Sequence, residues 1–181
     1  PDMLLQKGRE CGFGFTCVNP VKNENGEIYS STRVREALVA GNVKSAWHIL
    51  DRPFEIEGRV VHGDKRGRTI GFPTCNVELN DYLTPALGVY AIRAGVDDGT
   101  RTLWHNGVCN IGKRPTFDKR DILLEAHLFD FQGDLYNKHL RVALIEFLRP
   151  ERKFNSLDEI TQQISKDCIL AQDILKKTPT F

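Results

Sequence analysis

No apolar run in the chain approaches the roughly 20 residues that cross a bilayer as a helix, and the opening PDMLLQKGRE lacks the pattern of a signal peptide. There is no C-x-x-C pair. Five cysteines, an odd number, stand at 11, 17, 75, 109 and 168, which argues against a disulfide framework or a zinc site and makes a reducing cytosol the expected home. Net charge is nearly absent: 25 basic against 24 acidic side chains leave +1, so no global field favours nucleic acid or a membrane surface. A G-x-x-x-x-G-K-[ST] phosphate loop is missing, as are internal repeats and low-complexity tracts. Position 1 is not methionine, which suggests a cut fragment.

What is present is a globular composition, 40% hydrophobic and 27% charged over 181 residues, enough for one ordinary domain and an appendage. Residues 1–52 read differently from the rest. Phe13, Phe15, Cys17 and Val18 suit a short strand, followed by a polar turn at Asn23–Gly26. Ser30, Ser31 and Thr32 are helix-capping types, and Val34, Ala37 and Leu38 make a helical stripe that Gly41 ends. Asn42 caps a second short helix with Val43, Ala46, Trp47 and Leu50, and Pro53 closes the segment.

From Phe54 onward the period is two. Strands are expected at 54–61, 74–79, 87–95, 101–109, 121–130 and 140–148, joined mostly by turn clusters such as Gln132-Gly133-Asp134. Six such strands without alternating helices predict a small antiparallel barrel or sandwich. Ser156 and Glu159 form a capping box for a last helix, whose Leu157, Ile160, Ile164, Cys168, Ala171 and Leu175 share a face.

The chemistry gathers in GRVVHGDKRGRTIGFPTCN, residues 58–76. Its loop carries Gly63, Gly67 and Gly71, where backbone N–H groups can approach an anion, among Lys65, Arg66 and Arg68. Thr74 and Asn76 lie two apart, so an extended backbone points both the same way; paired neutral oxygens suit Mg²⁺, which draws its other ligands from water and substrate phosphates. Cys75 between them faces away, as a small buried apolar residue. A solvated basic hairpin loop is the plainer alternative. In 121–130, Ile122, Leu124, Ala126 and Leu128 share the core face, leaving Glu125 and His127 on the other. A desolvated carboxylate at Glu125 could take the proton of an alcohol attacking phosphorus. For His127 a packing or hydrogen-bonding role is preferred.

Gly67 to Asn76 resembles the G-R-x-x-G-F-P-T-x-N signature of riboflavin kinases, and Glu125 to Phe131 is similar to their E-x-H-x-x-D-F-like strand. Gly88-Val89-Tyr90-Ala91, the segment from Asn110 to Phe117 and Leu148-Arg149-Pro150-Glu151 with Phe154 resemble further family segments, so the likeness covers 54 to about 175. Asp134-Leu135-Tyr136 is similar to the family's D-L-Y-G, with Asn137 in place of Gly; Asn tolerates the left-handed conformation, so the turn is expected to survive. Ser30 to Arg35 resembles the S-S-T-x-x-R motif of the adenylyltransferase module of bacterial FAD synthetases, whose H-x-G-H-type site does not occur here.

The resemblance implies a mainly β fold, a six-stranded antiparallel Greek-key-type barrel with a C-terminal helix over 53–181. A short α-helical adenylyltransferase remnant, 1–52, precedes it, with its helices against the next domain. It implies transfer of the γ-phosphate of ATP to the 5′-hydroxyl of riboflavin, giving FMN and ADP, with no adenylyl transfer by this fragment. Glu125 would be the catalytic base, and Thr74 and Asn76 the Mg²⁺ ligands. Gly63, Lys65, Gly67, Arg68, Gly71 and Tyr136 would bind ATP, with Arg68 the favoured cation. Arg149, Phe154 and Phe117 would bind the flavin; for Arg149 a flavin edge or a carboxylate are both open partners. A cytoplasmic monomer, without nucleic-acid or membrane partners, is expected. The alternatives are a non-catalytic flavin- or nucleotide-binding barrel and an oligonucleotide-binding barrel.

Overall fold

The computed structural model describes residues 1–62, 67, 70–79, 81–97, 99–113 and 122–179, and the chain divides into two compact units, Pro1–Ser31 and Thr32–Phe181. The first holds helix α1 (Asp2–Cys11), ended by Gly12 in the left-handed conformation, with its amide bonded to the Gly8 carbonyl. A tight turn follows, where the Asn23 side chain accepts from the amides of Asn25 and Glu27 and Lys22 bridges Ile28. The strand expected from Phe13 to Val18 does not form. Phe13 and Val18 are exposed, and the segment has no ladder partner to satisfy its backbone.

Two helices open the second unit, α2 (Ser31–Val39) and α3 (Val43–Leu50), the latter capped by Asn42, whose Oδ1 accepts from the Ser45 amide at 3.1 Å. Val34, Leu38, Val43 and Ala46 are buried in the same core as the strands that follow. Those strands are β1 (Phe54–Val61), β2 (Cys75–Glu78), β3 (Gly88–Asp97), β4 (Thr102–Lys113), β5 (Ile122–Leu128) and β6 (His139–Pro150). They close into an antiparallel barrel in the order β1-β2-β5-β4-β3-β6. Three consecutive hairpin strands with β6 returned beside the first of them make the Greek key.

Alternation sorts the side chains. Ile56, Val60, Cys75, Val77, Tyr90, Ile92, Cys109, Ile111, Leu124, Ala126, Leu140, Val142 and Leu144 fill the interior. Their outward neighbours Ala91, Val108, Ala143 and Ile145 form a second apolar cluster with Ala171 and Leu175 of the last helix, α4 (Leu157–Lys177). That helix starts on the expected cap, where Ser156 Oγ accepts from the Glu159 amide at 3.2 Å and Glu159 reaches back to the Asn155 amide. One member of the expected stripe departs. Leu157 is exposed, whereas Asp167 is buried on the side facing the barrel.

Candidate active site

Asn76 stands between Cys75 and Val77, which point into the barrel, so its own side chain points out through the wall. In the β2–β5 register its partner is Glu125, which places the two side chains on the same outer face, with Cβ atoms about 5 Å apart. They line a pocket of about 440 Å³ with Thr74, Gly67, Phe72, His127 and Tyr136. Arg149 near the end of β6, Phe154 and the α4 residues Ile160, Ile164 and Asp167 line it as well. The pocket therefore lies outside the barrel, between its wall and the start of α4, and not in the lumen.

Asn76 is 5% exposed, yet its Oδ1 has no hydrogen-bond partner among the described residues. A buried acceptor left unpaired costs about 1–3 kcal/mol, so it calls for a ligand. Thr74 is exposed at the same wall, one residue before β2. No group of three or more His, Cys, Asp or Glu that could hold a metal by itself occurs among the described residues. A cation on Asn76 and Thr74 would then take its remaining ligands from water and substrate, as Mg²⁺ usually does. The donor set fits that group.

Glu125 is exposed, not desolvated, because it faces the pocket rather than the core. His127, one step along the same face, has Nδ1 2.8 Å from the Pro73 carbonyl. That oxygen only accepts, so Nδ1 carries the proton and ties the Phe72–Thr74 turn to β5. Phe72 and Phe129 meet the imidazole edge to face. The expected hydrogen-bonding and packing role matches this placement. Cys75 faces inward as expected, donating to the Ala126 carbonyl, and burial pushes its thiol up to about 12.

In the glycine loop, the Gly67 carbonyl accepts from the Phe72 amide at 2.8 Å. A Cβ at 67 would stand 2.3 Å from the Phe72 carbonyl oxygen, so only glycine allows the approach. Gly71, at φ +86°, makes the turn between them. Gly63, Lys65, Arg68 and Phe117 lie outside the described residues. Tyr136 stacks on His62 with ring centroids 4.0 Å apart. Its turn has Asn137 at φ +63° in the left-handed region, the Tyr136 amide on Asp134 Oδ1, and the Asn137 carbonyl held by Arg59.

Arg149 directs Nε and Nη2 at Asp167 in a two-pronged pair, 2.8 Å at the shortest, while Nη1 donates to the Pro150 carbonyl. Its guanidinium lies 5.8 Å from the Phe154 ring. Of the two partners left open for Arg149, the protein supplies a carboxylate.

Some pocket residues were not among the site residues expected from the sequence, although Val89 and Asn110 fall in segments that resemble the family. Val89, Val108, Leu123, Ile160 and Ile164 give the pocket apolar walls, and Asn110 adds a carboxamide beside Glu125. Asn110 is a polar residue between buried Cys109 and Ile111, an alternation that could have marked it.

The family model described as "Flavokinase: Riboflavin kinase" matches residues 50–175. The chain belongs to the riboflavin kinase family. A relative in Escherichia coli strain K12, "Bifunctional riboflavin kinase/FMN adenylyltransferase", is 45% identical over 177 residues, 97% of this chain and 55% of that protein. The chain spans about half the length of the curated relatives it matches. A solved structure named "Macrolide-efflux Protein", from Streptococcus pneumoniae, is 36% identical with a TM-score of 0.75, covering 90% of this chain and 51% of that one. Its name concerns that protein alone; no described helix here is long and apolar enough to cross a membrane. The riboflavin kinase of Trypanosoma brucei, 21% identical over 69% of this chain and 81% of that one, shares the fold at a TM-score of 0.52.

Proposed function

We propose that this riboflavin-kinase-family barrel transfers the γ-phosphate of ATP to the 5′-hydroxyl of riboflavin, giving FMN and ADP. The observation that carries the reading is the Asn76–Glu125 cross-strand pair, a buried oxygen without a partner among the described residues beside an outward carboxylate in one pocket with Thr74. Glu125 accepts the hydroxyl proton on a carboxylate oxygen as the alcohol oxygen bonds phosphorus and the bond to ADP breaks. Thr74 Oγ1 and Asn76 Oδ1 are the protein ligands for Mg²⁺, which when bound offsets the charge of the transferring phosphate. His127 keeps the turn that carries Thr74 on β5. Gly67 and Gly71 shape the loop on the nucleotide side, with Gly63, Lys65 and Arg68 as its remaining contacts and Tyr136 beside it.

The flavin ring belongs between the apolar wall of Val89, Val108 and Leu123 and the α4 side, where Ile160, Ile164 and Phe154 face it. Arg149 borders this slot, and Phe117, outside the described residues, is taken as a further flavin contact. A pocket of about 440 Å³ suits one drug-sized ligand, so the triphosphate extends toward the glycine loop and Tyr136. Five free thiols suit a cytoplasmic location. A monomer is the expected state, and residues 1–52 are read as part of an adenylyltransferase module that transfers no adenylyl group here.

Mass spectrometry of an incubation with riboflavin and MgATP tests the reading, with FMN as the expected product. Glu125→Ala should lower turnover between about 100- and 10,000-fold while riboflavin still binds. Flavin binding without FMN formation by the unaltered protein would favour the non-catalytic barrel instead.

A further inference from the structure

The outward row that holds Asn76 and Glu125 continues across the barrel. Register places Glu125 opposite Asn110 of β4, Asn110 opposite Val89 of β3, and Val89 opposite Arg149 of β6. Directly opposed residues of antiparallel strands share a face, and all five line the same pocket. With strands about 4.8 Å apart, the row is a ruler. Asn76, whose Oδ1 has no partner among the described residues, marks one end, the base stands one strand on, a carboxamide two strands on, then apolar Val89 and the Arg149 guanidinium.

This order constrains the acceptor. With its terminal hydroxyl at Glu125 and the phosphate donor on the Asn76 side, the rest of the acceptor runs toward Asn110. The next strand spacing is about 4.8 Å, and over that span the molecule still consists of its hydroxylated chain, before the flat ring begins at Val89. Asn110 is half-buried, and its Nδ2 donates to Glu151 Oε1 at 3.3 Å. Since a carboxylate only accepts, the nitrogen end of the amide is the end that meets Glu151, and Oδ1 is the other fork. An acceptor oxygen next to the base, where hydroxyls must pass, is what a polyol reader needs.

We infer that Asn110 determines specificity for the polyol chain of the acceptor by accepting a hydrogen bond from one of its internal hydroxyls. The inference rests on the flavin reading of the pocket but not on turnover. Its test is flavin fluorescence quenching in the presence of MgADP, comparing riboflavin with a flavin bearing a 5-hydroxypentyl chain, which keeps the terminal hydroxyl alone. The unaltered protein should bind riboflavin about tenfold more tightly than the analogue, the value of one hydrogen bond made in a sheltered site. Asn110→Ala should bind the two within about twofold, by losing affinity for riboflavin and not for the analogue; analogue binding also reports that the variant is folded. A variant that keeps the preference, or weakens both flavins equally, overturns the assignment, as does an unaltered protein without preference. If the unaltered protein binds neither flavin, the flavin reading falls and this inference with it. Selective binding without phosphorylation would remove the kinase reading and leave Asn110 in place.

Discussion

Asn76 places a cost on the fold that only a ligand offsets. Its Oδ1 is buried without a partner among the described residues, so Asn76→Leu, close in volume, should stabilise the protein by about 1 kcal/mol while removing turnover and binding of Mn²⁺–ADP. Urea unfolding and metal-nucleotide titration check the two halves; a destabilised variant would mean that Asn76 has a structural role. The thiols behind it respond to pH. Burial raises Cys75 from the ordinary 9.0 to about 12, and raises Cys109 for the same reason with help from Cys75. Unfolded thiols ionise near 9.0 while the folded Cys75 thiol stays protonated to about 12, so in this window the unfolded chain binds fewer protons. Stability is full below the lower value and falls as pH rises through the window. The urea midpoint should therefore drop above about pH 9, less steeply in Cys75→Ala. At this scale period two was informative: it set Thr74 and Asn76 on one side, Cys75 on the other, and Glu125 opposite the core. It set Asn110 on the outer face without showing what would cover it, and gave no sign of Asp167, because a polar residue on a strand or helix looks solvated until a second element covers it.

Among the elements, α4 matters most to the site, since its first turns supply one wall of the pocket. Two arginines hold it. Arg149 meets buried Asp167 near the middle, and Arg93 of β3, 5% exposed, donates to the carbonyls of Leu175, Thr178 and Pro179 at the far end. The Leu175 carbonyl is one that a helix C-terminus cannot pair within itself, and those of Thr178 and Pro179 follow it at the negative end of the dipole. Arg93→Met keeps much of the volume and removes the donors, so it should cost about 2–4 kcal/mol and speed amide exchange in the last turn of α4. Equal exchange and equal stability would show that packing by Ala171 and Leu175 suffices. The strands were legible within a few residues from apolar segments bounded by turn clusters, even though β3 is buried along nearly its whole length, and α4 was legible from its capping box. α1 went unnoticed, and the strand expected at Phe13–Val18 failed, for one reason: neither segment has enough buried partners for a local pattern to be decided by packing.

At the scale of the molecule, a barrel could be expected from six alternating segments, but not which side of its wall would hold the site. Alternation defines two faces; only the return of α4 over the outer face turns Asn76 and Glu125 into the floor of a pocket. The boundary between units is likewise a matter of packing. Helices α2 and α3 read as the tail of an N-terminal remnant, yet Leu38, Val43 and Ala46 are at most 1% exposed in the core they share with the strands. The Ala86 amide bonds the Leu38 carbonyl at 2.9 Å, and Lys44 pairs with Glu146 of β6. Each large apolar side chain so buried contributes about 1.5–3 kcal/mol, so a cut before Pro53 should remove about 5 kcal/mol, a large part of a typical domain's 5–15 kcal/mol. A cut before Thr32 follows the boundary of the compact unit and leaves that core whole. Chains 32–181 and 53–181 should consequently part company in urea: the first unfolding cooperatively near the midpoint of the full chain and still making FMN, the second unfolding far earlier or aggregating. Equal midpoints would mean that the barrel stands without the two helices and that their burial covers a surface it can leave open.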